Sequence, residues 1–332
     1  MNHHRGMLIV AGAHNQREQR GLQRKCRHGR LIRLRKGIYA PREEFQALPL
    51  WERFDLHCIA TAVSRPANFL MGKAAAAAWE IPFGSVPMWI EMGSRTRNSG
   101  ERDTVLKIRE STLLPGQPLH RLPTPFTTGS VTSLQQSLLD LARWHPLSDA
   151  VEAIDHCLHH GLTTKDELQG LLPLLSGKHG ANAAARAIQL SHHASESPRE
   201  SLIRLAMWEA GFPAPYLQAN IRDRYGQFIG RLDYFYPCCC LGIEYDGDGK
   251  YQGQFGFSPQ QVAEAEMHRT KKMGNAGIKL IRITRATYND GSWEDDVREA
   301  LEWGKLQGTP FPEAQWDSAG LAWTRAKYRT RR

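Results

Sequence analysis

The spacing of apolar residues near the N-terminus predicts one helix followed by a β-hairpin. Asn15 to His28 is polar and compatible with a helix, whereas the string GRLIRLRKGIYAP mixes apolar and basic residues around Gly37. Two apolar runs separated by a glycine-containing turn are typical of a hairpin. A helix followed by a basic hairpin is the order of a winged helix-turn-helix, in which a helix enters the major groove and the wing contacts phosphates.

The middle of the chain has the pattern of a mixed α/β region. Leu134, Leu138, Leu141 and Ala142 repeat at helical spacing and predict a buried helix stripe. The string DAVEAIDHCLHHG predicts a second helix that ends at its glycine. Four prolines between positions 115 and 125 mark loops around short strands.

From Ser195 onward the pattern predicts a helix, three strands, a helix, a strand and a final helix. Ser197, Pro198 and Glu200 carry the signals of a helix start. The string ANIRDRYGQFIGRLDYFYP predicts a hairpin that turns at Tyr225-Gly226, and CCCLGIEYDG continues as a third strand. A polar helix, the strand KLIRIT and a helix near Trp293 to Trp303 follow. The expected fold class is therefore α/β and multidomain.

Length and composition allow two or three domains and show no membrane segment. The chain has 332 residues, of which 41% are hydrophobic and 23% are charged, which is ordinary for a globular protein. No stretch approaches the roughly 20 apolar residues of a membrane-spanning helix, and Met7 to Ala11 is too short for a secretory signal. The six cysteines include no CxxC pair, so a zinc ribbon is not supported. We expect a cytoplasmic protein.

The distribution of charge changes this picture more than the net charge of +9. Nine basic residues stand against the single acid Glu18 between positions 17 and 36, which gives this segment a charge of +8. Such clusters are the electrostatic footprint of a nucleic-acid-binding surface, although a solvated basic face is the simpler alternative. A second basic cluster lies in the tail, after position 324. The candidate nucleic-acid-binding residues in this segment are Arg17, Arg20, Arg24, Lys25, Arg27, Arg30, Arg33, Arg35 and Lys36. Two further candidates, Arg269 and Lys272, lie in the C-terminal region.

Two acids in the C-terminal region have the placement of a metal site. Asp233 is expected to end one strand and Glu244 to lie on the next, so an antiparallel pairing would bring both carboxylates to one end of the sheet. Oxygen ligands of this kind suit Mg²⁺ or Mn²⁺, which can activate water for phosphodiester hydrolysis. The structural alternatives are an edge residue for Asp233, a salt-bridge partner for Glu244, and a helix-capping role for Glu200.

The front half of the chain resembles AbiEi-family antitoxins. The string GRLIRLRKGIYA is similar to the basic hairpin that closes the winged-helix domain of that family, and LMGKAAAAAWEIP and VTSLQQSLLDLAR are similar to two of its later segments. Gly72-Lys73 stand where the family has a Ser/His-Xaa-Ser step. The resemblance implies duplex DNA as a partner, and a cognate toxin or a second copy of the chain as further candidates.

The region from about 195 to 290 resembles the very-short-patch-repair-like endonucleases of the PD-(D/E)XK superfamily. The strings ESPRESLIRLAMWEAGFPAP, GRLDYFYP, IEYDGDGKY and HRTKKMGNAGIKLIRIT carry this resemblance in order. It implies that Asp233 and Glu244 bind the metal, that Glu200 is the helix acid, and that Asp246 is the second acid of its strand. It also implies that Arg269 is the basic residue of the helix.

One position departs from the superfamily pattern. The Glu-Xaa-Lys step is Glu244-Tyr245-Asp246 here, so the usual lysine is missing. Lys250, Lys271 or Lys272 could replace it, with Lys271 as our candidate; Lys271 and Lys272 could equally bind phosphate only. This gives Glu200, Asp233, Glu244, Asp246 and Lys271 as candidate catalytic residues.

Four segments and two functions follow from these patterns. We expect a winged helix-turn-helix at 1–46, an α/β middle domain at 47–191, a nuclease-like domain at 195–305 and a basic tail at 306–332. The leading expectation is a metal-dependent DNA endonuclease of phage defence or of a toxin–antitoxin system. The alternative is a non-catalytic DNA-binding regulator or antitoxin that retains a degenerate nuclease domain. Basic clusters do not distinguish DNA from RNA.

Overall fold

The computed structural model describes residues 3–11, 16–94, 105–110, 113–122, 128–246 and 259–323. Within these ranges the chain is mixed α/β and contains three sheets. Its internal contacts divide it into two compact units, residues 1–188 and 189–332. No helix in the described ranges is both long and apolar enough to cross a membrane.

The predicted basic helix and hairpin are both present at the start of the first unit. Helix α1 spans Gln16–Arg27, and strands β2 (Leu31–Arg35) and β3 (Ile38–Pro41) pair antiparallel. Gly37 adopts a φ of 78° at the turn, a conformation that glycine accepts without a Cβ clash. Strand β1 (Ile9–Val10) adds to β3, and Leu22, Leu31 and Tyr39 form the small core. Among the described residues, α1 is the only helix between β1 and β2 in the chain.

The rest of the first unit is a five-stranded sheet with helices around it. The strand order is β6-β5-β4-β8-β7, with β4–β8 and β5–β6 parallel and β4–β5 and β7–β8 antiparallel. The strands are β4 Asn68–Leu70, β5 Ile90–Ser94, β6 Leu106–Glu110, β7 Leu119–Arg121 and β8 Ser130–Thr132. The helices are α2 Arg42–Ala47, α3 Leu50–Ser64, α4 Gly72–Ala78, α5 Leu134–Trp144, α6 Leu147–His159, α7 Lys165–Leu171 and α8 Ala181–Leu190. Of the predicted helix stripe, Leu138, Leu141 and Ala142 are buried in α5, and Leu134 at its start is half-buried.

A buried carboxylate ties the sheet of this unit to α5. Glu91 on β5 is 1% exposed, accepts from Arg109 Nη2 at 2.7 Å, and lies 2.6 Å from His145 Nε2 at the end of α5. Burial opposes ionisation of Glu91, but the hydrogen bond and charge of His145 and the charge of Arg109 prevail and lower its pKa to about 2. Glu91 is therefore a structural anion, and it is compensated from two elements.

The second unit contains the predicted order of helix, three strands, helix, strand and helix. Its strand order is β12-β11-β10-β9-β13; β11 and β12 are parallel and the other neighbours antiparallel. The helices are α9 Pro198–Glu209, α10 Pro259–Asn275, α11 Arg285–Asp290 and α12 Ser292–Gln307. The strands are β9 Tyr216–Arg222, β10 Phe228–Tyr236, β11 Leu241–Asp246, β12 Lys279–Thr284 and β13 Trp316–Asp317. Helix α11 and strand β13 were not predicted.

Two predictions for this unit need correction. Strand β10 does not end at Asp233, because the buried aromatic residues Tyr234 to Tyr236 continue it against β11. The segment from 306 onward is not a tail throughout, because β13 pairs with β9, and Phe311 and Trp316 pack on the core of the sheet. Apolar side chains fix that segment, whereas its basic residues after 323 lie outside the described residues.

The Glu91 cluster predicts a specific acid sensitivity. Because the pKa of Glu91 is lower in the folded than in the unfolded chain, its stabilisation is complete above about pH 5 and is lost as the pH falls towards 2. The loss over that window is about 3 kcal/mol. Burial raises the pKa of Asp140 to about 7, so this neighbour titrates at higher pH. In urea denaturation, the unfolding free energy should change less between pH 5 and 2 in Glu91→Gln than in the wild type. An equal change in both proteins would contradict this role of Glu91.

Candidate functional site

The N-terminus of α9 is fixed by Glu200 and Ser197 together. Ser197 Oγ accepts from the backbone N–H of Glu200 at 3.3 Å and donates to Glu200 Oε1 at 2.8 Å. Glu200 Oε2 accepts from the backbone N–H of Glu196 and from Gln218 Nε2, each at 3.0 Å. The capping box weighed for Glu200 is thus present in part, because Ser197 caps the helix but Glu200 accepts from the backbone N–H of Glu196. The same carboxylate also reaches across to strand β9.

Asp233 and Glu244 lie where the pairing of β10 with β11 stops. The last paired residues are Tyr234 and Ile243, and the next position of the same register sets Asp233 opposite Glu244. Asp233 Oδ2 accepts from the backbone N–H of Tyr245 at 2.9 Å. The carboxylate of Asp233 thus satisfies a backbone donor of β11 and is held beside Glu244.

Glu244 is buried and paired with a cation from α10. Its side chain accepts from Arg269 Nη1 at 2.7 Å and from Nη2 at 2.6 Å, and the residue is 6% exposed. Arg269 also donates to Glu266, from Nε at 3.0 Å and from Nη2 at 2.8 Å. The hydrogen bonds to Glu244, followed by those to Glu266, raise the pKa of Arg269. Four of the donors that Arg269 was predicted to offer to nucleic acid are directed at carboxylates instead.

A second arginine completes this charge network. Arg282 on β12 hydrogen bonds Glu266 through Nη2, and its Nε lies 3.9 Å from Glu244 Oε2. The register aligns Glu244 with Arg282 across the parallel pair β11–β12. The salt-bridge role weighed for Glu244 is therefore also present. Each carboxylate oxygen retains a second lone pair, so the pairing leaves Glu244 able to coordinate a cation.

The remaining candidates of the C-terminal unit lie around these acids. Asp246 is half-buried at the end of β11, two residues from Glu244 and therefore on the same face. Lys271 and Lys272 are exposed on α10. Lys271 borders an open cavity of about 440 Å³, lined also by Ala263, Glu266, Met267, Thr270 and Arg282. Lys250 lies outside the described residues.

Gln218 was not predicted to belong to the site. It is 9% exposed, adopts a φ of 50° within β9, and donates to Glu200 as described above. Its side-chain oxygen is buried, and none of the described residues donates a hydrogen bond to it. A glutamine within a strand is a weak sequence signal, because neither the backbone angle nor the partner across the sheet can be read from spacing.

The donor set limits what the site can bind. Among the described residues, no three His, Cys, Asp or Glu side chains are grouped so as to hold a metal ion. A divalent cation at Asp233 and Glu244 would therefore need further oxygen donors, such as an amide or backbone carbonyl. The chemistry of the two carboxylates fits a hard cation such as Mg²⁺ or Mn²⁺.

Most of the predicted nucleic-acid-binding residues form one exposed surface. Helix α1 exposes Arg17, Arg20, Arg24 and Arg27, whose spacing places them along one side of the helix. Lys25, Arg30, Arg33 and Lys36 are also exposed, and Arg35 is half-buried with Nη1 donating to the Leu34 carbonyl at 2.8 Å. We call these nine residues the N-terminal basic surface.

Comparisons with known proteins do not identify this chain. No family model and no curated protein matches it. Among solved structures, the crystal structure of the RV2827C protein from Mycobacterium tuberculosis is similar at a TM-score of 0.30 and 16% identity. The match covers 57% of this chain and 69% of that one. Similarity at this level supports no argument about fold or function.

The pairing of Arg269 with Glu244 predicts strong energetic coupling. A double-mutant cycle with Arg269→Met and Glu244→Gln should give a coupling free energy of about 1–3 kcal/mol in urea denaturation, because the pair is largely removed from water. The matched control is the exposed pair Arg222–Asp317, joined at 2.6 Å with side chains 36% and 53% exposed. Its coupling should stay below about 1 kcal/mol. Equal coupling in both cycles would contradict the role assigned to Glu244.

Proposed function

We propose that this protein is a metal-dependent nuclease that cuts duplex DNA. The observation that carries the proposal is the placement of Asp233 beside Glu244 at the open end of the β10–β11 pairing. Two carboxylates so placed are the ligands expected for Mg²⁺ or Mn²⁺. The resemblance to very-short-patch-repair-like endonucleases supports the same assignment. Under this proposal the second unit has a PD-(D/E)XK nuclease fold.

Each residue of the site has a separate task in this proposal. Asp233 and Glu244 hold the cation, which would supply an activated water and neutralise charge on the scissile phosphate. The backbone N–H of Tyr245 orients Asp233, and Arg269 orients Glu244. Asp246 extends the acidic edge on the same strand face. Lys271 on α10 binds the scissile phosphate, and Lys272 contacts the neighbouring phosphate of the DNA backbone. Both lysines are exposed and therefore accessible to DNA.

The N-terminal basic surface supplies the affinity for nucleic acid in this proposal. Helix α1 and the β2–β3 hairpin act as the recognition helix and wing of a winged helix, with the arginines contacting phosphates. Contacts of this kind position a duplex without reading its sequence. We propose duplex DNA as the substrate, and cleavage assays on DNA and on RNA distinguish it from RNA.

A second function is favoured by one feature of the site. Both oxygens of Glu244 accept from Arg269, as expected if an arginine has replaced the cation in a degenerate nuclease domain. The protein would then be a DNA-binding regulator or antitoxin, with a cognate toxin or a second copy of the chain as partner. The nuclease remains our leading proposal because Asp233 lies opposite Glu244, and two carboxylates so placed can bind one cation.

Substitution of Asp233 tests the metal site. Asp233→Asn should reduce Mn²⁺-dependent nicking of plasmid DNA by roughly 100-fold or more, since loss even of an outer partner of a metal ligand costs roughly 10- to 100-fold. DNA affinity should be unchanged, because the N-terminal basic surface is intact. The control is Asp296→Asn, on the exposed side of α12. Equal nicking by Asp233→Asn and wild type, or wild-type nicking that persists with chelator, would refute the proposal; absence of all nicking on DNA and RNA would favour the regulator.

Charge removal from α1 tests the binding surface. Arg20→Gln combined with Arg24→Gln should weaken duplex binding and reduce the slope of log K against log salt by about 2, because each lost phosphate contact removes about 0.9. The control removes two charges elsewhere in the same unit, by Arg121→Gln and Lys178→Gln. The same fall in slope for both proteins would contradict the assignment of α1.

A further inference from the structure

Gln218 carries two unfavourable features that packing does not explain. Its backbone φ of 50° lies in the left-handed region, which is sterically unfavourable for a residue with a Cβ atom. Its side-chain Oε1 is buried, and no described residue donates a hydrogen bond to it, which is unfavourable for a polar atom removed from water. Unfavourable features of this kind cluster at functional sites.

The orientation of the Gln218 amide is fixed by its neighbour. Nε2 lies 3.0 Å from the Glu200 carboxylate, so this atom must be the donating nitrogen. The reverse orientation would place the amide oxygen against a carboxylate oxygen, with no proton between them. Glu200 therefore determines that the unpartnered atom is an oxygen. A buried amide oxygen of this kind can accept a hydrogen bond or coordinate a cation.

The register of the sheet sets Gln218 beside the proposed metal ligands. Leu217 pairs with Tyr234 and Ala219 pairs with Leu232, so the intervening Gln218 is opposite Asp233. Asp233 is in turn opposite Glu244. Glu200, Gln218, Asp233 and Glu244 thus form one row from α9 across three neighbouring strands. The hydroxyl of Tyr234 donates to the Glu200 carbonyl at 2.6 Å, which fixes the start of α9 beside β10.

We propose that Gln218 Oε1 is an oxygen ligand of the divalent cation bound by Asp233 and Glu244. This inference rests on the proposed function, and it names the ligand that the two carboxylates lack. Side-chain amide oxygens are ordinary ligands of hard cations. Glu200 is then a positioning residue, which acts on the cation through the amide of Gln218.

Binding of Mn²⁺ to the full chain without DNA tests this ligand. Gln218→Met keeps the length and bulk of the side chain but removes the oxygen, and should weaken Mn²⁺ binding in calorimetry about tenfold, which is 1.4 kcal/mol. Gln227→Met is the control, because Gln227 lies exposed at the turn of the same hairpin. Its Mn²⁺ affinity should equal that of the wild type.

A second variant decides the question if Gln218→Met fails to fold. Gln218→Glu places a second carboxylate beside that of Glu200 and keeps a side-chain oxygen that can bind the metal. Without metal, the two negative charges repel each other. Saturating Mn²⁺ should therefore raise its Tm by more than it raises the Tm of the wild type. An equal or smaller rise would overturn the inference.

The Mn²⁺-binding results distinguish a failure of the Gln218 ligand from a failure of the proposed metal site. If the wild type binds Mn²⁺ and Gln218→Met binds it equally well, Gln218 is not a ligand but the proposed metal site stands. If the wild type binds no Mn²⁺, the metal site and the Gln218 ligand both fail. Weaker binding by Gln218→Met, with unchanged binding by Gln227→Met, supports both.

Discussion

The antiparallel register of β10 and β11 determines where the two acids of the second unit lie. Because Tyr234 pairs with Ile243, the next position outward sets Asp233 against Glu244. The hydrogen bond from the Tyr245 backbone to Asp233 replaces the ladder bond at that point. A shift of one residue would turn one acid to the other face of the sheet. The chemistry proposed for this unit therefore rests on where a short strand pairing ends.

The partners of Asp233 and Glu244 stabilise the edge of the sheet at which these two acids lie. A buried carboxylate is unfavourable unless a cation or several donors compensate it. Arg269 compensates Glu244, and the Tyr245 N–H serves Asp233, so the edge is stable as it stands. A bound cation would add to this arrangement by using the remaining lone pairs, with Arg269 shared between Glu244 and Glu266. Among the residues that the structure describes, none donates a hydrogen bond to the buried side-chain oxygen of Gln218.

Local patterns predicted the elements of this protein better than its long-range partners. Ser197 as a helix cap, the hairpin turns at Gly37 and Gly226, and the helix following Ser292 all depend on neighbours in sequence. The pairing of Glu244 with Arg269 spans 25 positions and depends on where α10 packs. The two-residue strand β13 has too short an alternation to be recognised, and it is held by Trp316 packing on the sheet. Residue types indicated Asp233 and Glu244, whereas Gln218 needed the fold.

The most direct test is a crystal structure of the wild-type protein grown with Mn²⁺ and measured at a wavelength where manganese scatters anomalously. Our account predicts one anomalous peak within coordination distance of carboxylate oxygens of both Asp233 and Glu244. The contradicting result is a well-ordered site that shows no such peak at saturating Mn²⁺ and in which Glu244 contacts Arg269 but no metal ion.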